Sequence, residues 1–466
     1  MSADLTQSDL TAVARDIFLH ALAACSVPRA MERHLLLENG VLRLSDGAMF
    51  TLAGSKRIRV MAMGKAAVPM LDCLLAALSA AGKLDEMDIS GVCDAPQLPS
   101  AQDPRIQYFA GGHPLPNRQS FEAAEAMLRM ARSLGEGDLA LFLLSGGASS
   151  LMELPLDENI SLEDTIAFHR ALVHSSAAIA EINCVRKHFS AVKGGRLAAA
   201  AGRARKLTLA VSDVPAGHLD ALGSGPTLPD FSTASQCQEI IRRHGLMAKF
   251  PGSVRAFFER TALPELPSER LVNSDQRDVP VPDPTGAALR TQRENLVVVL
   301  SNDDLLAQAS ERAETLGFHV EIDNACDDWE CSDAADYLLG RLRGLRQQHG
   351  RVCLLSGGEV TVQVAAHPGI GGRNQQFALE CALKLRDQET GVAILSAGSD
   401  GIDGSSWAAG AVVNLSTRSR AFAHGLDPEA ALRACDAGSL FVRLGDTVVT
   451  GPTGNNVRDL RILIAR

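Results

Sequence analysis

Glycine-rich segments that carry a hydroxyl or charged residue are the parts of this sequence that could do chemistry. The pentapeptide LLSGG occurs twice, at residues 143–147 and 354–358, and each copy ends an apolar run. Glycine lets a backbone come close to a ligand, and a serine hydroxyl with nearby N–H groups can hold phosphate or carboxylate oxygens. Turn chemistry alone could explain either copy. Two copies at strand ends favour a ligand cleft built from two similar halves.

Cations stand beside glycines in three further segments. Lys65 follows Gly64 in MGKAA, between a predicted strand and a predicted helix, and a helix N-terminus favours phosphate. MGKAA is not a Walker A loop, which would need Ser or Thr at Ala66. Arg373 ends the glycine-rich turn GIGGR, and its planar fork suits a carboxylate or phosphoryl oxygens. The third segment, RKHFSAVKGGRLA, contributes Lys193 and Arg196, although helical cations are often simply solvated.

Carboxylates occupy the remaining glycine-rich loops. Asp213 lies in SDVPAG, Glu359 follows the second LLSGG, and Asp400 and Asp403 lie in GSDGIDG. Mg²⁺ prefers oxygen ligands, and a general base must reach the attacking hydroxyl. Asp213 is therefore the candidate general base or magnesium ligand, with Glu359, Asp400 and Asp403 as the alternatives. Asp400 and Asp403 are the further metal candidates. Each could instead cap a loop. Cations and carboxylates together at strand ends fit phosphoryl transfer from a metal-bound nucleotide.

Composition and missing motifs argue against other classes of protein. The chain holds 45 Lys and Arg against 55 Asp and Glu, a net charge of −10 that disfavours nucleic-acid and membrane partners. It has no GxGxxG, since GIGGRN has Asn374 at the sixth position, and it has neither HExxH nor CxxC. The scattered cysteines and the lack of a long apolar run predict free thiols and a cytoplasmic location.

Six short apolar runs alternate with helical patterns and predict an α/β fold. These predicted strands are 57–63, 139–144, 207–212, 296–300, 351–355 and 392–397. A proline-rich stretch predicts a connecting segment at 251–290 between domains at 1–250 and 291–466, and the last strand could pack back on the first domain. We expect two Rossmann-like, three-layer α/β domains with mainly parallel sheets that face each other across an interdomain cleft. Ligands bind at the carboxyl ends of such strands, so Lys65 and Arg373 are expected on opposite walls of the cleft.

The ordered motifs of the chain together resemble those of the class II glycerate kinases. They are MGKAA, GGHPLPN, LLSGGASS, RKHFSAVKGGRLA, SDVPAGHLDALGSGP, LSGGEVTV, GGRNQQFAL, GSDGIDG and GPTGNNVRDLRIL. The resemblance implies an N-terminal kinase domain and a C-terminal MOFRL-type domain, which use ATP and Mg²⁺ to phosphorylate D-glycerate, most simply at its 2-hydroxyl. It places the essential lysine of the family at Lys65 and the essential arginine at Arg373. The chain departs from the family pattern at Ala148 and Asn455.

Two other functions stay open at this point. Some relatives in this family are called hydroxypyruvate reductases, which would use NAD(P)H, although the chain lacks the dinucleotide fingerprint. A non-catalytic sugar-acid-binding module is the second alternative. For the kinase we expect a monomer or homodimer with small-molecule substrates. The expected substrate- and nucleotide-binding residues are Gly64, Ser145, Gly146, Gly147, Lys193, Arg196, Ser224, Ser356, Gly357, Gly358, Glu359 and Asn374.

Overall fold

The chain folds into two compact units that are not consecutive in sequence. The computed structural model describes residues 7–38, 41–43, 49–52, 54–260, 263–267 and 296–466. Residues Ala30–Val299 form one unit, here called the central unit. Residues Met1–Arg29 and Leu300–Arg466 form the other, here called the terminal unit. The first 29 residues thus group with the end of the chain, whereas the sequence predicts a first domain that begins at residue 1. Most of the expected connecting segment lies outside the described residues.

The central unit is built on a six-stranded sheet of Rossmann type. Its strands are β4 (Ile58–Met63), β5 (Ile89–Ala95), β6 (Ile106–Ala110), β7 (Leu139–Ser145), β8 (Arg205–Val211) and β9 (Leu296–Leu300). The strand order is β6-β5-β4-β7-β8-β9, and the four pairs from β6 to β8 are parallel. A second, antiparallel sheet contains β1 (Leu36–Glu38), β2 (Val41–Arg43) and β3 (Met49–Thr51). The four predicted strands of this unit are confirmed within two residues.

Helices cover both faces of the central sheet. They are α2 (Val27–His34), α3 (Ala67–Ala80), α4 (Arg118–Arg132), α5 (Ala148–Leu151), α6 (Leu162–Val173), α7 (Ile179–Phe189), α8 (Arg196–Ala200), α9 (Ala234–Arg243) and α10 (Gly252–Phe258). Two 3₁₀ segments follow β8 and α9, at Ala216–Ser224 and Leu246–Ala248. Asn117 caps α4 by accepting a hydrogen bond from Ser120 N. Phe168 and Phe189, stacked 4.1 Å apart, form the centre of a separate aromatic core among α6, α7 and α10.

The terminal unit has a mixed sheet. Its strands are β10 (His319–Ile322), β11 (Val352–Ser356), β12 (Val392–Gly398), β13 (Gly410–Asn414), β14 (Thr447–Val448) and β15 (Asp459–Ala465). In the order β10-β11-β15-β12-β13-β14, only β10 and β11 pair in parallel. The α/β fold is confirmed, but in this unit the expectation of mainly parallel pairing needs correction. The last strand runs antiparallel between β11 and β12, and β12 reaches β13 without a crossover helix.

Seven further helices complete the terminal unit. They are α1 (Gln7–Ala24), α11 (Asn302–Thr315), α12 (Cys331–Gln348), α13 (Arg373–Lys384), α14 (Thr417–Ala423), α15 (Pro428–Arg433) and α16 (Ala437–Leu444). Helix α1 buries a stripe of apolar residues at helical spacing: Leu10, Ala14, Ile17, Phe18 and Ala21. Asn455 Nδ2 donates to Cys25 O over 2.8 Å, directly after α1. This burial explains why the first residues belong to the same unit as the last strand.

No single helix of the described chain is long and apolar enough to cross a membrane. Only α1 and α2 taken together reach that length and composition, and the two are bent by 53° to each other.

Candidate functional site

The strand order of the central unit reverses between β4 and β7. Strands β5 and β6 lie on one side of β4, and β8 and β9 lie on the other side of β7. Open α/β sheets bind ligands in the crevice outside the carboxyl ends of their strands at such a reversal. Strand β4 ends at Met63 and β7 ends at Ser145, so the predicted MGKAA and SGG loops leave the sheet side by side.

Backbone and hydroxyl hydrogen bonds join these two loops. Lys65 N donates to Gly146 O over 2.9 Å, and Ala66 N donates to Ser145 Oγ over 3.0 Å. Gly64 has a φ of +116°, and a Cβ on it would lie 2.3 Å from Ser145 Oγ, so only glycine fits. The Ser145 hydroxyl therefore fastens the loops to each other, whereas the sequence predicts that it faces a ligand.

Three ionisable side chains converge on the first SGG loop. A Cβ on Gly146 would lie 1.8 Å from Asp213 Oδ2, so the carboxylate packs directly against this glycine. At Gly147, with φ +84°, a Cβ would lie 3.0 Å from His113 Cδ2 and 3.2 Å from Lys65 Cγ. Burial, followed by the charge of Lys65, lowers the pKa of His113, which favours its neutral form. The loop thus places a cation and a carboxylate on either side of two glycines.

Sequence reasoning did not identify Asp94 and His113. Asp94, the sixth residue of β5, is fully buried and accepts a hydrogen bond from Gly111 N over 3.0 Å. Burial raises its pKa to about 8, against which the Gly111 bond has the smaller effect. Its second oxygen has no partner among the described residues. The available signal was the position of these two residues at strand ends: Asp94 lies near the end of the apolar run ISGVCDA, and His113 follows the run IQYFA.

Three of the expected ligand-binding residues of this unit have internal partners in the structure. Lys193 is fully buried and forms an ion pair with Glu153, which also contacts His169 Nε2 at 2.8 Å. Arg196 Nη2 donates to the carbonyl of residue 264 over 3.2 Å. Ser224 is buried, and its Oγ lies 3.0 Å from Ser149 Oγ. These contacts support the turns behind the SGG loop, and substrate contact by the three residues stays a prediction.

In the terminal unit, Arg373 is the first residue of α13 and lies next to the start of β15. Its Nε and Nη2 donate to Asp459 over 2.6 and 3.1 Å, and Nη2 lies 2.7 Å from Glu359 Oε1. Burial would lower the pKa of Arg373, but the bonds and charge of Asp459 outweigh it and hold that pKa above its ordinary value. The guanidinium therefore stays charged and is held in one orientation. Asp459 was missed, because nothing in the motif VRDL marks its partner.

The second SGG loop is held by side chains. Gly357 N donates to Asn324 Oδ1 over 2.8 Å, Gly358 N to Asn302 Oδ1 over 3.1 Å, and Glu359 N to Asp327 Oδ1 over 3.0 Å. Ser356 is fully buried. The sequence predicts that these N–H groups hold ligand oxygens. Each of these N–H groups already has an acceptor within the unit, and ligand contact by the second loop stays a prediction.

The two candidate metal ligands of GSDGIDG differ in their surroundings. Asp403 is buried and caps α13, accepting from Asn374 N over 3.0 Å and from Gln375 N over 2.8 Å. Burial raises the pKa of Asp403 to about 7 in spite of those bonds. In the structure its carboxylate is a helix cap, and its role as a metal ligand stays a prediction. Asp400 is only partly buried, with Oδ1 3.1 Å from Ile402 N. Asn374 is itself buried, and its Oδ1 accepts from Ser396 over 2.6 Å.

Within the described residues, no cluster of three or more His, Cys, Asp or Glu side chains is arranged for a metal ion. Mg²⁺ usually takes one or two carboxylates and obtains its other ligands from substrate phosphates and water. Asp213 at the first SGG loop, or Asp400 in the terminal unit, fits that limited requirement. Lys65 and Arg373 lie in different units, and their meeting across one cleft stays a prediction.

Comparison with known proteins identifies the family. Residues 13–259 match the family model described as "Domain of unknown function (DUF4147)", and residues 352–459 match the MOFRL family. A D-glycerate 2-kinase of Thermotoga maritima is 35% identical over 361 residues, which cover 77% of this chain and 79% of that protein. The chain belongs to the class II glycerate kinase family.

Two further comparisons are informative for this class II glycerate kinase. The crystal structure of a glycerate kinase from Thermotoga maritima superposes with a TM-score of 0.79 at 31% identity, covering 98% of this chain and 100% of that one. A putative hydroxypyruvate reductase of Agrobacterium vitis is 36% identical over 411 residues, or 88% of this chain and 87% of that protein. The family therefore includes relatives with two different names, and the site chemistry has to distinguish them.

Proposed function

We propose that this class II glycerate kinase transfers the terminal phosphoryl group of ATP to the 2-hydroxyl of D-glycerate. The observation that carries the proposal is the convergence of Lys65 and Asp213 on Gly146 and Gly147 at the reversal of the central sheet. Phosphoryl transfer needs positioned cations and a carboxylate far more than it needs a covalent catalyst. The name D-glycerate 2-kinase of the Thermotoga maritima relative supports the same substrate and position.

Lys65 and Asp213 have complementary roles in this proposal. The Lys65 ammonium is a compact charge at the start of α3, suited to the oxygens of the transferred phosphoryl group. Asp213 either accepts the proton of the 2-hydroxyl or provides an oxygen ligand to Mg²⁺. Bound Mg²⁺ would neutralise charge on the nucleotide phosphates. Gly146 leaves room for the Asp213 carboxylate, which any side chain at that position would displace.

Arg373 is proposed to bind an oxyanion of the substrate. Asp459 and Glu359 bind its Nε and Nη2, whereas Nη1 has no hydrogen-bond partner within the described residues. The side chain is 37% exposed, so that edge of the fork can reach a ligand. A carboxylate of glycerate or an oxygen of the phosphoryl group would fit, since both accept charge-assisted hydrogen bonds.

The reductase alternative has less support in the residues. In a dinucleotide-binding sheet, the loop after the first strand carries GxGxxG to admit a pyrophosphate. Here the equivalent loop after β4 carries the single Gly64 followed by Lys65. A lysine at this point serves a phosphoryl group better than it serves a nicotinamide cofactor.

The decisive test is product analysis with purified protein. D-Glycerate, ATP and Mg²⁺ should give ADP and 2-phosphoglycerate, identified by ³¹P–¹H NMR, while omission of Mg²⁺ should abolish the reaction. NAD(P)H oxidation with hydroxypyruvate and no ATP turnover would establish the reductase instead. Binding of glycerate without either reaction would establish a binding module, and 3-phosphoglycerate would correct the position.

A matched arginine pair tests the role of Arg373. Arg373→Lys should raise KM for glycerate by a factor on the order of ten or more. A lysine cannot form the two hydrogen bonds to Asp459 and also donate to a substrate carboxylate. The control is Arg343→Lys. Arg343 donates two hydrogen bonds to Glu389, over 2.5 and 3.1 Å, and a third to the carbonyl of Lys384, the last residue of α13. Equal KM values for both variants would remove Arg373 from substrate binding.

A further inference from the structure

Arg461 is a fully buried arginine in the middle of the terminal sheet. It lies on β15 between Ser356 of β11 and Ser396 of β12, and all three side chains are fully buried. Buried arginines normally have a carboxylate partner. Within the described residues, no carboxylate lies at ion-pair distance from Arg461, and its Nε and Nη1 have no hydrogen-bond acceptor. This arrangement is costly, which indicates that the charge has a use.

The contacts of Arg461 lead to both groups that hold Arg373. Its Nη2 donates to Gly357 O, in the turn that continues to Glu359. Its guanidinium lies 5.7 Å from the ring centre of Phe377, one turn beyond Arg373 on α13, within cation–π range. Asp459 is two residues earlier on the same face of β15. Arg461 thus connects the turn, the helix and the strand that converge on Arg373.

The charges around Arg373 need a second cation. Arg373 contacts two carboxylates, Asp459 and Glu359, so these three groups together are negative. The neighbouring Arg458 and Asp327 pair at 2.6 Å and cancel each other. Without Arg461, an anionic substrate would approach a site with a net negative charge, in a chain that is already acidic overall. The buried Arg461 offsets part of this negative charge and so makes the outer edge of Arg373 more attractive to an anion.

We propose that Arg461 is a positioning residue of the Arg373 site: it fixes the turn at residues 357–359 against α13, and its charge offsets that of Asp459 so that Arg373 can bind an anionic substrate. The proposal rests on the proposed kinase function for the identity of that anion. The placement of the turn does not depend on the substrate.

The test compares Arg461→Met with Arg461→Lys in the full-length protein, with Arg343→Met as the control. Methionine keeps much of the volume and removes the charge. Arg461→Met should raise KM for D-glycerate on the order of ten-fold, with a smaller change in kcat, and should speed amide hydrogen exchange at residues 354–359. Lysine keeps the charge and should restore part of both properties. Arg343→Met should change neither.

The outcomes separate the two proposals. If the wild-type protein neither binds nor phosphorylates glycerate, the kinase proposal fails, while faster exchange at 354–359 in a folded Arg461→Met protein still supports the positioning role. If Arg461→Met does not fold, Arg461→Lys decides, since it should fold with KM between the wild-type and Arg373→Lys values. Wild-type KM and exchange in a folded Arg461→Met protein, or in Arg461→Lys if the methionine variant does not fold, would overturn the proposal.

Discussion

At the scale of single residues, Lys65 and Arg373 each stand beside groups that fix their position. The backbone N–H of Lys65 bonds to the carbonyl of Gly146, and its side chain lies against Gly147. Asp459 and Glu359 orient the Arg373 guanidinium. Such preorganised charges lower the barrier to phosphoryl transfer because they need not reorient as the reaction proceeds.

Lys65→Ala should lower kcat by a factor on the order of a hundred or more, the usual loss for one preorganised electrostatic group. Initial rates at saturating glycerate and ATP measure it. The control is Lys83→Ala, a lysine of the same unit that pairs with Glu86 at the surface. A folded Lys65→Ala protein with wild-type kcat would show that its ammonium does not contact the transferred group.

Asp94→Asn should stabilise the protein at about pH 8 and flatten its pH dependence. The pKa of Asp94 is about 8 in the folded protein, against 3.8 for an ordinary aspartate side chain in water, so between these values the folded state holds a proton that the unfolded state releases. The free energy of unfolding therefore falls as pH rises through this window. Each pKa unit is worth about 1.4 kcal/mol, and we expect a gain of at least about 1 kcal/mol at pH 8.

Urea unfolding at about pH 5 and about pH 8 checks this sign. Asp103→Asn is the control of opposite sign, because hydrogen bonds from Arg105 lower the pKa of Asp103 and its ionised form stabilises the fold. That variant should lose stability at both pH values. A pH dependence for Asp94→Asn equal to that of wild type would mean that Asp94 is ionised in the folded protein.

Sequence reasoning reached these residues unevenly, and the reason is physical. Lys65 and Arg373 stand next to glycines at the boundaries of elements, where local pattern is informative. Asp459 and Arg461 become significant only because β15 pairs with both β11 and β12. That pairing brings Arg461 beside Ser356 and Ser396, which are distant from it in sequence, and no local pattern in the chain encodes it.

At the scale of elements, the first SGG loop connects β7 to α5, and the Asp213 carboxylate packs against its Gly146. Apolar runs predicted six of the described strands, because strands buried on both faces are continuous in sequence, and they did not predict the others. Strand direction in the terminal sheet was not predictable from the same runs, since an apolar strand reads alike in either direction. At the glycines that follow the strands, the residue type controls the packing of the loops, because an added Cβ would collide with a neighbouring side chain.

Gly146→Ala should displace the Asp213 carboxylate and lower kcat about a hundred-fold, since a misplacement near 1 Å can have that effect. The added Cβ would lie 1.8 Å from Asp213 Oδ2, so the carboxylate must move. Steady-state kinetics, with circular dichroism to confirm folding, measure the change. The control is Gly344→Ala in α12, where a Cβ meets open space. An unchanged kcat in folded Gly146→Ala would show that Asp213 is not needed at this position.

At the scale of the whole molecule, the terminal unit is discontinuous in sequence, because the central unit is inserted between its two segments. The terminal unit needs α1, whose Arg15 Nη1 donates to Thr447 O over 2.7 Å. Proline content alone suggested one cut near residue 250. Proline content could not reveal that α1 belongs to the terminal unit. That assignment depends on which of the two cores buries the apolar stripe of α1.

Phe18→Ala should therefore destabilise the terminal unit although residue 18 is near the start of the chain. Phe18 is fully buried, and truncation of such a residue typically costs about 3–5 kcal/mol. Hydrogen exchange should rise in peptides from residues 300–466 and stay unchanged in those from 58–211. Leu19→Ala, a neighbour with 47% exposure, should alter neither set. Faster exchange confined to residues 58–211 would show that α1 stabilises the central unit and not the terminal unit.

The discontinuous terminal unit also has a consequence for biosynthesis. Helix α1 is translated before the central unit, but the strands and helices that cover its apolar stripe are translated only after that unit. At ~5–20 residues per second, the stripe stays uncovered for roughly tens of seconds, long enough for ribosome-associated chaperones to engage it. A chain cut short by premature termination would never cover it.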